Sequence, residues 1–246
     1  MQTALRPLLR ATAIAGLILV SACLEGASEA ECGPDALGVS RTLTLTTESR
    51  PPYELLKRDE VILTFDDGPA WSRTKRVMKE LSKECTRATF FLQGNQAETW
   101  PAIAKSIREA GHTVGSHSWD HANLAELPLP EAIENAKHGQ SAVSAAIGQE
   151  TPLFRFPFIA TTPELSEAIH SAGLIDVTVT ADGADWTDIS PEDAVAQILA
   201  MLKQHDRRGM VLLHDPFSKS ARRTRLLLQS LKAEGYSVVA LEQPEG

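Results

Sequence analysis

Five places along this 246-residue chain gather polar side chains that can do chemistry, each at or near the end of a short β-type run. Asp66-Asp67 follow Val61–Phe65, His117 and His121 follow Thr113–Ser116, and Arg155 lies within Leu153–Phe156. Asp185-Trp186 come a few residues after Asp176–Thr180, and His214-Asp215 close the run Met210–Leu213. Two adjacent carboxylates at a strand end suit a division of labour, one ligating a metal while its neighbour takes a proton from bound water. His117 and His121 are four residues apart, so both rings can face one point on a helical or looped turn. With one carboxylate they form a two-His, one-Asp set with open positions, the arrangement of a catalytic rather than a structural divalent site. Ser118 stands where the HExxH zinc-protease motif needs Glu, so that motif is excluded. Taken alone, Asp66-Asp67-Gly68-Pro69 also reads as a plain turn, and a lone His pair as surface or core.

The short β-type runs that must position these residues read as β-strands separated by amphipathic helices. They are Val61–Phe65, Ala88–Leu92, Thr113–Ser116, Leu153–Phe156, Asp176–Thr180, Met210–His214 and Ser237–Leu241. Trp100-Pro101 opens one helix that closes at Gly111. Ser190-Pro191-Glu192-Asp193 opens another, with Val195, Ile198, Leu199 and Leu202 on one face. A third runs from Arg222 to Glu234, and Thr42–Thr46 alternates as a peripheral strand would. This alternation implies parallel strands joined by right-handed crossovers, in either an open doubly wound sheet or a closed barrel. In a barrel, strand C-terminal ends converge on one rim, where sites are built. No Gly-rich phosphate loop follows the first of these strands, which disfavours nucleotide binding.

The N-terminus reads as an export signal: Arg6 and Arg10 precede an apolar stretch, Ala11–Val20, too short to span a bilayer. Val20-Ser21-Ala22-Cys23 resembles a bacterial lipobox and sets the boundary at residue 23, with a lipid on Cys23 as the only membrane link. Ordinary cleavage after Ser28-Glu29-Ala30 is the competing reading. Residues 24–55 form an N-terminal extension and 56–246 the main domain. Outside the cytoplasm, in the periplasm or cell envelope, Cys32 and Cys85 read as a disulfide pinning the extension to the first helix, the alternative being two separate buried thiols. The signal carries two Arg and no acid, so a net charge of −8 becomes −10 on its removal. With no basic tract interleaved with aromatics, nucleic acid is excluded as a partner. His112 reads as structural, His138, His170 and His205 as helix residues without partners, and Lys219, Arg222, Arg223 and Arg225 as a solvated helix face. Trp71 and Trp119 neighbour the polar groups and suit either stacking on a ligand or packing.

Five segments in order are similar to the motifs of the polysaccharide deacetylases, the NodB-homology group or carbohydrate esterase family four. They are Thr64-Phe65-Asp66-Asp67-Gly68-Pro69, Ser116-His117-Ser118-Trp119-Asp120-His121, Arg155-Phe156-Pro157-Phe158, Asp185-Trp186 and Leu213-His214-Asp215. The resemblance runs from about Glu60 to Leu241. It implies an α/β fold, a distorted (β/α)7 barrel, and metal-dependent hydrolysis of acetyl groups on a sugar polymer. N-acetyl groups of an N-acetylglucosamine-containing glycan come first, with an O-acetyl xylan-type esterase or a non-catalytic glycan-binding barrel as alternatives.

By motif, the resemblance assigns Asp67, His117 and His121 to a divalent metal, zinc foremost with cobalt or another ion as substitutes. Asp66 becomes the general base and His214 the general acid; Arg155 holds Asp66, and Asp185 orients His214. Trp186 and Leu213 are assigned to the acetyl pocket, and the backbone N–H of Phe158 to the oxyanion. Beside a cation and Arg155, Asp66 is expected to titrate below the ordinary carboxylate range. The third motif departs from the family's usual Arg-Pro-Pro-Tyr-Gly, reading Arg155-Phe156-Pro157-Phe158-Ile159. The missing Gly implies a differently shaped groove wall.

Overall fold

The computed structural model describes Met1 and residues 32–242; the rest of the segment expected to be an export signal, and Cys23, lie outside the described residues. In chain order the elements are β1 (Arg41–Thr44), β2 (Glu60–Gly68), α1 (Arg73–Lys83), β3 (Thr89–Leu92), α2 (Gly94–Thr99), α3 (Pro101–Glu109) and β4 (Thr113–Ser116). They continue with α4 (Leu129–Ile147), β5 (Leu153–Phe154), α5 (Pro163–Ser171), β6 (Ile175–Asp176), β7 (Ala181–Asp182), α6 (Pro191–Gln204), β8 (Gly209–His214), α7 (Ser220–Ala233) and β9 (Ser237–Glu242). All pairings are parallel, as crossover helices require.

Strands β2 to β8 run round a distorted seven-stranded (β/α) barrel. β2 pairs with β3, β3 with β4, β4 with β5 and β5 with β6, while β7 pairs with β8 and β8 returns to β2. Between β6 and β7 the ladder is interrupted, and β9 joins the lower end of β2 at Glu60 and Val61. β7 is absent from the sequence reading, and the run Asp176–Thr180 forms strand only at its first residue. The reason is visible beside it: the carbonyls of Val177 and Thr178 accept from the Arg155 guanidinium instead of a neighbouring strand.

β2 explains how such a strand sorts its residues. Its run is almost continuously buried because helices cover the barrel outside and side chains fill it inside. Val61, Leu63 and Phe65 point outward into the cluster shared with Val77 and Leu81 of α1 and Leu227, Leu228 and Leu231 of α7. Ile62 points inward with Phe91, Leu153, Val177 and Met210. Thr64 and Asp66 continue that inward row toward the strand's C-terminal end, so the interior passes from apolar to polar along one strand.

The N-terminal segment is built into this framework. β1 pairs with β9 from Arg41↔Val239 to Thr44↔Glu242, Leu45 is buried, and Arg41 forms an ion pair with Glu60 at 2.6 Å. Cys32 and Cys85 form a disulfide just past the end of α1. Among the described residues no helix is long and apolar enough to cross a membrane.

Candidate active site

Asp66 ends the inward row of β2, buried, with its Oδ1 2.8 Å from Arg155 Nη1. Arg155 is itself fully buried, and its guanidinium also donates to Thr64 Oγ1 at 2.7 Å and to the Val177 carbonyl at 2.8 Å. Its charge lies 4.1 Å above the Phe91 ring. One oxygen of Asp66 is thus committed and Oδ2 is left facing His117 Nε2 at 3.8 Å. Complete burial raises the Asp66 carboxyl above its ordinary range by more than the charge of Arg155 lowers it, whereas the sequence expectation of a lowered value counted a bound cation as well as Arg155.

Asp67 reaches the same cavity because the ladder slips between Asp66 and Gly68 and Asp67 takes φ 72°. In a regular strand it would point to the opposite face; the bulge re-aims it. A side chain on Gly68 would strike Asp215 Oδ1 at 2.5 Å, so the turn admits only glycine. Buried Asp215, lifted to about 7 by its burial, accepts from the Thr74 hydroxyl, which in turn accepts from Ala70 N–H at 2.7 Å. The start of α1 is thereby fastened beneath the turn.

The two histidines come from a loop after β4, not from a helix. Gly94 and Asn95 at the start of α2 donate to the Ser118 and Trp119 carbonyls, at 2.9 and 3.0 Å. Asn135 of α4 accepts from Trp119 N–H at 3.0 Å and donates to Asp120 at 2.9 Å. Gly139 of α4 lies so close to Ser118 that any side chain there would overlap its backbone. His117 Nδ1 meets the Arg155 carbonyl at 2.9 Å; a carbonyl only accepts, so Nδ1 carries the hydrogen and Nε2 holds the free lone pair. Burial pushes His117 down to about 3, keeping the ring neutral. His117 Nε2 and His121 Nε2 lie 3.6 and 3.2 Å from Asp67 Oδ1, and one ligand atom from each of the three falls within 4.8 Å of the others. Two imidazoles and one carboxylate in that cluster fit a divalent metal ion.

Across the cavity, His214 ends β8 with Nδ1 2.7 Å from Asp185 Oδ1, while its backbone N–H donates to Asp185 Oδ2 at 3.1 Å. Its Nε2 points back to Asp67 Oδ2 at 4.0 Å. Burial alone would lower the His214 pKa, but the hydrogen bond and charge of Asp185, with Asp66 and Asp67, lift it to about 9. The space between these groups is a cavity of about 410 Å³ whose apolar walls are Phe158, Ile159, Trp186 and Leu212.

Comparison with known proteins agrees with this geometry. Residues 55–177 match the family described as polysaccharide deacetylase. The peptidoglycan-N-acetylglucosamine deacetylase PgdA of Listeria monocytogenes is 32% identical over 186 residues, covering 76% of this chain and 39% of the relative. The chain belongs to the polysaccharide deacetylase family. A chitooligosaccharide deacetylase of Azorhizobium caulinodans is 30% identical over 160 residues, 64% of this chain and 74% of that protein. Among solved structures, a Bdellovibrio bacteriovorus peptidoglycan deacetylase superposes with TM-score 0.71 at 29% identity, over 86% of this chain and 57% of that one. The chain thus spans well under half the length of the Listeria relative.

Within this family member the ten residues singled out from sequence do not all meet. Asp66, Asp67, His117, His121, His214, Phe158 and Trp186 line the cavity, with Arg155 and Asp185 directly behind. Leu213 does not: it points outward beside Ile198 of α6, and Leu212 takes its place. Period two along β8, counted back from inward His214, selects Leu212. Arg223 is likewise no part of a solvated face, being 2% exposed. It falls on the buried stripe Ser220, Thr224, Leu227, Leu228 and Leu231, a spacing that could have placed it. Gln93, whose amide donates to Asp67 Oδ1 at 2.9 Å, carried no sequence signal. Trp119 stacks on His138 at 3.9 Å as packing, whereas Trp71 stays exposed against Trp100. Phe158 and Ile159 hold φ of 59° and 54°, so the groove wall keeps a left-handed backbone even with Ile where the family's usual motif has Gly.

Proposed function

We propose that this chain is an exported, metal-dependent deacetylase hydrolysing N-acetyl groups of an N-acetylglucosamine-containing glycan, with zinc as the metal. The observation that carries the reading is one cavity flanked by a metal-type set (Asp67, His117, His121), a spare carboxylate oxygen on Asp66 and the Nε2 of His214. A divalent ion held by Asp67, His117 and His121 would supply Lewis acidity, polarising the acetyl carbonyl and lowering the pKa of water toward about 7. Asp66 Oδ2 takes the proton of the attacking water while Arg155 holds Oδ1. The developing oxyanion takes a hydrogen bond from the Phe158 N–H, since the neighbouring Ile159 and Ala160 N–H groups are already taken by the Phe156 and Pro157 carbonyls. Expelling an amine needs a proton, which His214 Nε2 delivers while Asp185 holds its Nδ1. Trp186, Leu212, Phe158 and Ile159 shelter the acetyl methyl.

The disulfide between Cys32 and Cys85 supports an oxidising, extracytoplasmic setting, in line with a lipid anchor at Cys23. The relatives' names support peptidoglycan and chitin oligomers as the first substrates to try. The test is acetate release from chitin oligomers, peptidoglycan and acetylated xylan by zinc-loaded protein, with and without a chelator. Release from the N-acetylated glycans that stops on chelation is expected. Release from xylan alone would move the assignment to an O-acetyl esterase, and none from any substrate would overturn catalysis.

A further inference from the structure

The acid side of the site has a component beneath it that the reaction as written does not use. Arg223 projects from the buried face of α7, its Nη1 3.7 Å from Asp185 Oδ2 and its Nη2 donating to the Ile189 carbonyl at 3.1 Å. A guanidinium this deeply buried costs several kcal/mol unless it is paired, and the carboxylate it faces is Asp185. Asp185 is already engaged on its other side, with Oδ1 on the His214 ring and Oδ2 accepting from the His214 N–H. The chain Arg223–Asp185–His214 therefore runs from a helix outside the barrel to the cavity wall. It mirrors Arg155–Asp66 on the base side, where a buried arginine likewise holds a carboxylate.

We propose that Arg223 is a positioning residue for the proton donor: it fixes the Asp185 carboxylate so that the His214 ring stays turned with Nε2 toward the leaving nitrogen. Arg223 touches no substrate; it acts through Asp185. The inference rests on the assignment of His214 as the acid, and it separates from a packing role by leaving group. An amide needs its amine protonated, whereas an aryl acetate expels a stable phenolate without help. Loose packing would slow both, and a misplaced acid would slow only the amide.

The experiment compares wild type, Arg223→Met and Arg223→Lys on an N-acetyl chitooligomer and on 4-nitrophenyl acetate. The ring Nδ1–H resonance of His214, identified by its loss in His214→Gln, is followed by NMR in the same proteins. Arg223→Met is expected to lower kcat on the amide about 10- to 100-fold with KM nearly unchanged, leave the aryl ester within about threefold, and lose the sheltered resonance. Arg223→Lys should restore the resonance and much of the amide rate. Equal losses on both substrates, or an undisturbed His214 resonance in Arg223→Met, would overturn the proposal. Should Arg223→Met fail to fold, Arg223→Gln against Arg223→Lys makes the same comparison, the resonance being lost in the first and kept in the second. If wild type releases no acetate at all, the functional reading falls, while the resonance still decides whether Arg223 holds the Asp185–His214 pair.

Discussion

Asp66 and Asp67 are neighbours of identical chemistry with different surroundings, and the surroundings assign their work. Asp66 is buried and tied to Arg155, while Asp67 swings out on a bulge to meet two histidines and Gln93. Asp66→Asn keeps the shape and removes the base. It should reduce turnover by about 10²-fold or more while metal content, measured by atomic emission on purified protein, stays that of wild type. Loss of metal with it would contradict the division. This pair was legible in the sequence, as were the histidines and His214, because polar residues clustered at the ends of short β-type runs stand out. Leu212 and Arg223 were hidden for a different reason: an apolar or basic residue shows its direction only through the phase of its element. Asp66's raised pKa was hidden too, since burial is a property of the fold and not of the motif.

Elements carry the precision of the metal set. The loop 117–121 is clamped between the N-terminus of α2 and the middle of α4, and Gly139 is where helix and loop backbones meet. Gly139→Ala should push the loop outward and weaken divalent-metal binding about 10- to 100-fold, read by competition with a chromogenic chelator. Unchanged affinity would show that the loop yields elsewhere. At the opposite end of β4, His112 is buried and accepts from Ala88 N–H through Nδ1, which requires a neutral ring. Burial, helped by Arg87, holds it at about 4 against an ordinary 6.5. Between those values only the unfolded chain binds the proton, so this group erodes stability as pH falls through 6.5 and stops doing so below about 4. The full effect is about 3 kcal/mol. His112→Asn should flatten that part of the acid dependence in urea unfolding between pH 7 and 4. Strand positions were the most readable elements, since β2, β3, β8 and β9 contain runs of apolar residues. β7 has two residues and no run to read.

At the scale of the molecule, the disulfide joins residues 53 apart and ties the segment before β1 to the end of α1. Cys32→Ser removes that restraint on the unfolded chain and should cost about 2–4 kcal/mol in denaturant unfolding. A loss near zero would mean that β1 alone anchors the segment. The pairing of β1 with β9 has a consequence for how the chain is made. Hydrogen bonds such as Ser40 Oγ to the Val238 carbonyl span 198 residues, so β1 leaves the ribosome well before β9 and waits for it. During that wait its backbone edge is unpaired and open to other chains. Contacts of such sequence separation close slowly. A chain that stops short of β9 keeps every cavity residue named above and still lacks the partner that completes β1.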